Sequence, residues 1–224
     1  MTAPNLTLIM TDDGSKSILR ADIDEAYHST RGAMGESMYV FIDKALNYFH
    51  EVTGKKNISI LEVGLGTGLN ALLTAKRAAE LDLDITYYGL EPFPVPSEIY
   101  RQLDYGVNDL ESEWLQKIHE AKWEELVPIS DHLSLQKFQV GLEAFAQKPP
   151  IDIVYFDAFA PSKQAALWDI ENLRKCFELL ENQGVLTTYC AQGQFKRNMA
   201  AVGFEVQTLL GALGKKEMVR GVKI

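Results

Sequence analysis

The sequence predicts an α/β fold: a mostly parallel seven-stranded sheet with helices on both faces, closed by a C-terminal antiparallel hairpin and preceded by a β-hairpin/helix extension. Three observations carry this. From Ile58 onward, short apolar and β-branched runs alternate with segments whose apolar residues recur at helical spacing. A glycine-rich turn, Gly64-Leu65-Gly66-Thr67-Gly68, joins the first of these strands to the first of these helices. The last two strand-like runs are too close in sequence for a crossover helix, so they pair antiparallel.

The elements follow in order. Leu6, Leu8 and Ile18 alternate with polar residues around Asp12-Asp13-Gly14-Ser15, which predicts a hairpin turning at Asp13-Gly14. Ser37 to Val52 carries apolar residues at helical spacing and stops at Gly54. Strands are expected at Ile58–Val63, Ile85–Leu90, Leu133–Val140, Ile151–Phe156, Val185–Cys190, Phe204–Leu209 and Glu217–Val222. Helices are expected at Gly68–Leu81, Glu98–Leu103, Leu110–Lys122, Leu142–Gln147, Trp168–Leu180 and Gln194–Val202. Alternation of this kind places parallel strands between helical layers.

No repeat or Pro/Gly/Ser linker divides the 224 residues, so one domain is expected, with residues 1–56 as an extension and 57–224 as the α/β core. Hydrophobic residues make up 46% and charged residues 24%, as in ordinary soluble proteins. No apolar run is long enough to span a bilayer, and the start Met1-Thr-Ala-Pro-Asn5 has no secretory pattern. Cys176 and Cys190 lack metal-ligand spacing and are expected as buried thiols, which together with the missing leader predicts a cytoplasmic protein that does not engage membranes. The net charge of −9 opposes polyanion binding through the whole surface, but leaves room for a local patch of Lys196, Arg197, Lys215 and Lys216. Such a cluster could equally be a solvated face.

The glycine turn narrows the ligand class. A dinucleotide fingerprint would place its third glycine at position 69, which is Leu69 here. The spacing is instead Gly64-x-Gly66-x-Gly68, with Glu62 two residues upstream and Thr67 and Asn70 beside it. This suits a cofactor with no pyrophosphate but with a methionine ammonium and carboxylate, which points to S-adenosyl-L-methionine and away from NAD. Glu91, before Pro92 at the end of the next strand, is placed to accept ribose hydroxyls. Gln139, Val140 and Gly141 are the expected adenine contacts. The four histidines are scattered, and no His/Cys/Asp cluster has metal spacing, so no metal is expected.

Asp157 follows the apolar strand Ile151–Phe156 and so lies at its C-terminal end, where open α/β sheets bind ligands. A carboxylate there can orient an amine and take its proton, while aromatic walls such as Phe159 and Tyr155 disfavour the ammonium form. The alternative is a helix cap. Tyr27, His28 and Glu36 lie in the extension, which is expected to cover the substrate side; Glu36 could bind an amine or the cofactor ammonium, or equally cap the helix at Ser37.

Asp157-Ala158-Phe159-Ala160-Pro161, Trp168, Thr187-Thr188-Tyr189-Cys190, Gly203-Phe204 and Gly214-Lys215-Lys216-Glu217-Met218 give the chain a specific likeness. With Asp12 to Ser15, Tyr27-His28-Ser29, Gly32-Ala33, Glu36-Ser37 and Glu62 to Asn70, it resembles the methyltransferase part of the MnmC family over most of its length. Members methylate the aminomethyl group on the wobble uridine of certain tRNAs. The resemblance implies a Rossmann-like class I methyltransferase, S-adenosyl-L-methionine as cofactor and tRNA as partner. The family commonly has Arg where Lys216 stands and Asp near Gln139. Bifunctional members carry a following flavin-dependent oxidoreductase domain; none follows Met218 here, so no FAD is expected and a stand-alone methyltransferase is implied. Methylation of a small amine or a protein, or cofactor binding without catalysis, are the competing readings.

Overall fold

The computed structural model describes residues 5–147 and 149–224; residues 1–4, on which the expectation of no leader rests, and residue 148 lie outside the described residues. The chain opens with β1 (Leu6–Met10) and β2 (Lys16–Arg20), paired antiparallel with Leu8 opposite Ile18. Asp13 organises the turn: its Oδ1 accepts from the Thr11 and Ser15 hydroxyls and from the Ser15 N–H, while Gly14 takes φ +83°. A short β3 (Glu25–Ala26) adds to β2 and completes a three-stranded sheet.

Next come α1 (Ala33–Ser37), a π-helical stretch from Met38 to Asn47, and α2 (Tyr48–Thr53), which ends at Gly54 in the left-handed conformation. The helical segment thus starts four residues before the expected Ser37, and its middle is wound more loosely than an α-helix. It buries Val40, Phe41, Ile42, Ala45, Leu46 and Phe49 against one face of the main sheet. Each of these side chains except that of Ala45 contributes roughly 1.5–3 kcal/mol on burial.

The core runs through β4 (Asn57–Val63), α3 (Leu69–Leu81), β5 (Asp84–Leu90), α4 (Ser97–Tyr100), α5 (Asp109–Glu120), β6 (Leu126–Ser130), β7 (Leu133–Phe138) and β8 (Ile151–Phe156). It continues with α6 (Ile170–Leu179), β9 (Leu180–Thr188), α7 (Gly193–Val202), β10 (Glu205–Leu210) and β11 (Glu217–Val222). The strand order is β10-β11-β9-β8-β4-β5-β7-β6, parallel in the middle and antiparallel at both ends. All six residues of β8 are buried, with Ile153 and Tyr155 packed in one cluster and Val154 and Phe156 in the other. That is the signature of a strand covered on both faces. Side chains set the helix starts: Asn108 Oδ1 accepts from the Glu111 N–H and Asp169 Oδ1 from the Asn172 N–H, each at 2.9 Å.

The expected C-terminal hairpin is present, and β11 sits between β10 and β9. The sheet has eight strands rather than seven. The additional one, β6, is an edge strand containing Pro128, with a register shift between Pro128 and Ser130; proline is tolerated at an edge because no neighbour needs its missing N–H. The helix expected over 142–147 is only a 3-10 turn at Leu142–Ala144. Trp168 belongs to a 3-10 turn, so α6 begins two residues later, behind the Asp169 cap. β9 starts at Leu180 through an irregular stretch in which Gln183 takes φ +67°. Cys176 and Cys190 are buried and unbonded, and among the described residues no helix is long and apolar enough to cross a membrane.

The strand order matters for function. From β4 the chain moves outward through β5 to the edge strand β6, turns back into β7 between them, and then places β8 on the opposite side of β4. The reversal opens a crevice beyond the C-terminal ends of β4 and β8, the position at which α/β sheets bind ligands. The glycine turn follows β4 and Asp157 follows β8, so both border it.

Candidate active site

A cavity of about 890 Å³ lies at this crevice. Its floor is the turn after β4. Gly64 has φ +95°, and a Cβ there would stand 2.4 Å from the Asp157 carbonyl oxygen; the two loops meet too closely for any side chain. Gly66 has φ +51° and faces the Tyr27 ring, which a Cβ would approach to 3.0 Å. Gly68 does other work. It starts α3 at φ +74° against Ile118 and lies off the cavity wall.

Glu62 also lies behind that wall. It is fully buried, its Oε1 accepting from Asn70 Nδ2 and its Oε2 from the Tyr87 hydroxyl, both at 2.8 Å. Burial above all, then repulsion by Asp157, holds its carboxyl well above the usual carboxylate range; the Asn70 and Tyr87 bonds act the other way. Glu62 was expected to contact a ligand directly, but it does not line the cavity; Asn70, which does, stands between. Asn70 Nδ2 spans two carboxyl groups, donating to Asp157 Oδ2 at 2.8 Å as well. Asn70 lines the cavity, and its buried Oδ1 has no hydrogen-bond partner among the described residues.

Asp157 is partly buried on the wall, with its N–H bonded to the Val63 carbonyl at 3.0 Å. Burial pushes its carboxyl up to about 7, the Asn70 bond opposes this, Glu36 raises it further and Lys215 lowers it. Its loop is held from behind: Trp168 Nε1 donates to the Phe159 carbonyl and the Tyr189 hydroxyl to the Ala158 carbonyl, each at 2.8 Å. Phe159 packs edge-to-face on Tyr27 at 5.0 Å between centroids, so the two rings form one aromatic wall. Tyr155, the other expected wall, points the opposite way; it is fully buried beneath α3 with Phe41 and Tyr87.

Glu91 lines the next part of the cavity, followed by Pro92. Its Oε2 accepts from the Gly66 N–H at 2.9 Å and its Oε1 from the Phe93 N–H at 2.8 Å. Burial pushes this carboxyl up to about 7 against those two bonds. Each oxygen retains a further lone pair for a ligand hydroxyl. At the far end, Val140 and Gly141 line the cavity, but Gln139 is exposed and outside it. Leu142 and Glu143, which sequence reasoning did not select, stand there instead; Glu143, an acidic residue four positions past Gln139, was the available signal.

The extension closes the cavity, with Arg20, Glu25, Tyr27 and His28 on its wall. His28 stands between Ser17 Oγ (3.0 Å) and Thr67 Oγ1 (3.2 Å), and burial lowers its pKa to about 4, so it is neutral and braces the glycine turn. The four expected basic residues are engaged in different ways. Lys215 turns inward to an ion pair with Glu36, which also lines the cavity. Lys196 pairs with Glu217 at 3.0 Å and Arg197 bonds Gln194 on the exposed face of α7, while Lys216 is exposed. Among the described residues, no three His, Cys, Asp or Glu side chains converge as metal ligands would.

A family model described as S-adenosyl-L-methionine-dependent methyltransferase matches residues 102–224, more than half of the chain. The tRNA 5-methylaminomethyl-2-thiouridine biosynthesis bifunctional protein MnmC of Burkholderia multivorans is 28% identical over 229 residues, covering 96% of this chain and 34% of that protein. The protein of the same description from Burkholderia thailandensis is 30% identical over 232 residues, with the same coverages. The chain thus spans about a third of the length of these curated relatives. The crystal structure of MNMC2 from Aquifex aeolicus shares the fold, with a TM-score of 0.76 at 24% identity over 98% of this chain and 70% of that one. The chain belongs to the S-adenosyl-L-methionine-dependent methyltransferases and is related to the methyltransferase domain of MnmC.

Proposed function

We propose that this chain methylates a primary amine, the aminomethyl group on the wobble uridine of tRNA. The observation that carries the reading is Asp157: a carboxyl pushed up to about 7, on the wall of the cavity beside the Tyr27–Phe159 rings. A base of that strength can take a proton from an ammonium near neutral pH, and apolar walls weaken the hold of water on the charged form. The names of the MnmC relatives supply the nucleic-acid part of the reading.

The cavity residues fit S-adenosylmethionine. Gly64 and Gly66 bring bare backbone to the cavity wall at the turn, with Thr67 and Asn70 forming the wall for the methionine end. Glu91 offers lone pairs to the ribose hydroxyls, Pro92, Val140 and Leu142 offer apolar surface to adenine, and Glu143 can accept from its amino group. When bound, the cofactor supplies an electrophilic methyl on a sulfonium sulfur. The chain's own contribution is alignment, exclusion of water by the extension, and proton removal at Asp157 Oδ. Lys216 and Arg197 are the exposed cations left to meet tRNA phosphates.

The test is methyl transfer from labelled S-adenosylmethionine into tRNA from cells lacking this protein, followed by nucleoside analysis. Label in a methylaminomethyl uridine is the expected result. Label in a small amine or a protein but not in tRNA would replace the substrate, and no transfer to any of them would leave cofactor binding alone.

A further inference from the structure

Glu36, Asp157, Tyr189 and Lys215 come from four separate segments and meet on the wall of one cavity. Lys215, in the loop between β10 and β11, places its ammonium on the Glu36 carboxylate, with Nζ 4.7 Å above the Tyr189 ring. That ring is held in place because its hydroxyl donates to the carbonyl of Ala158, the residue after Asp157. A carboxylate on one side and an aromatic face on the other hold an ammonium by charge-assisted hydrogen bonding and cation–π attraction.

We propose that this box is the docking subsite of the acceptor amine, which enters as an ammonium and displaces Lys215, a resident stand-in for it. The inference rests on the amine-acceptor reading above. Two features show provision for a cation other than Lys215. Asn70, only 3% exposed and tied to Asp157 through Nδ2, keeps a buried Oδ1 without a partner among the described residues, so the wall beside the base carries an unsatisfied acceptor that Lys215 does not meet. The Lys215 side chain is 39% exposed, so it can swing outward, whereas that of Glu36 is 12% exposed and stays. Exchange of one ammonium for another leaves the charge of the box unchanged. A proton then passes from the docked nitrogen to the Asp157 carboxylate, leaving the lone pair on nitrogen for the incoming methyl. Lys215, released, joins Lys216 on the exposed loop and is free to meet a phosphate. Occupancy of the box and RNA contact are thereby linked.

The test uses purified wild-type protein, Lys215→Met, Lys215→Arg and the double variant Lys215→Met with Glu36→Gln, probed with ethylammonium chloride at constant ionic strength by saturation-transfer NMR. Lys215→Met should bind ethylammonium roughly tenfold or more tightly than wild type, because the competing charge is gone. Lys215→Arg keeps that charge and should behave as wild type; Glu36→Gln should cancel the gain. Lys215→Gln serves if Lys215→Met does not fold. A folded neutral variant without the gain overturns the proposal, as does failure of both neutral variants to fold, which would make Lys215 structural. A gain in ethylammonium binding by a chain that does not methylate tRNA would refute the tRNA reading and keep the subsite. Methylation of tRNA without that gain would do the reverse.

Discussion

Asp157→Asn should stabilise the protein while disabling it. The substitution keeps size and leaves an oxygen to accept from Asn70 Nδ2, but removes a charge that the site disfavours. Raising a carboxyl from 3.8 to about 7 on folding means that the folded state holds its proton more tightly than the unfolded chain. The stability associated with that proton is fully present below pH 3.8 and is lost as pH rises through about 7. At about 1.36 kcal/mol per pH unit the unscreened penalty above pH 7 would be about 4 kcal/mol. The side chain opens onto the cavity, and solvent screening brings the expected figure to about 1–2 kcal/mol. For a chain of this length that is a rise in melting temperature of roughly 2–8 °C. The asparagine variant should gain little near pH 4 and most at pH 8, measured by thermal unfolding with circular dichroism across pH. A loss of stability at pH 8 would refute the reasoning and make Asp157 a solvated structural cap.

Other outcomes follow from the same geometry. Gly66→Val should abolish the melting-temperature increase caused by S-adenosylmethionine, because a side chain at φ +51° would press on the Tyr27 ring; a retained increase would move the ligand elsewhere. Glu91→Gln should weaken that ligand by about 1–2 kcal/mol, the scale of a lost charge-assisted hydrogen bond, as read by calorimetry, and an unchanged affinity would remove Glu91 from the ribose. Lys216→Ala should lower the slope of log affinity for tRNA against log salt by about one and leave cofactor affinity unchanged; an unaltered slope would place the RNA surface elsewhere.

Much of this was legible because it is local. Runs such as Ile151–Phe156 and Ile85–Leu90 carry their own burial pattern, and the short link before Glu217 dictates a hairpin. β6 was hidden because Leu126-Val-Pro-Ile-Ser reads as broken by its proline until a neighbour is known to lie on one side only. The site divides in the same way. Gly64, Gly66 and Asp157 were marked by spacing and by position at strand ends. The retreat of Glu62 behind Asn70 follows from pleating: it shares a face with Ile60, beneath α3, a constraint available from alternation along β4. The inward turn of Lys215 depends on Glu36, 179 residues away, and no local pattern encodes it.

The central claim is that Asp157 takes the proton from an amine on tRNA. Single-turnover methyl transfer into tRNA from cells lacking this protein, at saturating S-adenosylmethionine and from pH 5.5 to 9, tests it most directly for wild type and Asp157→Asn. The wild-type rate should rise about tenfold per pH unit and level off above about 7. The variant should fold, bind cofactor and be slower by roughly two to four orders of magnitude, recovering part of the loss at high pH where free amine is more abundant. Near-wild-type transfer by the folded variant, with the same pH profile, would contradict it.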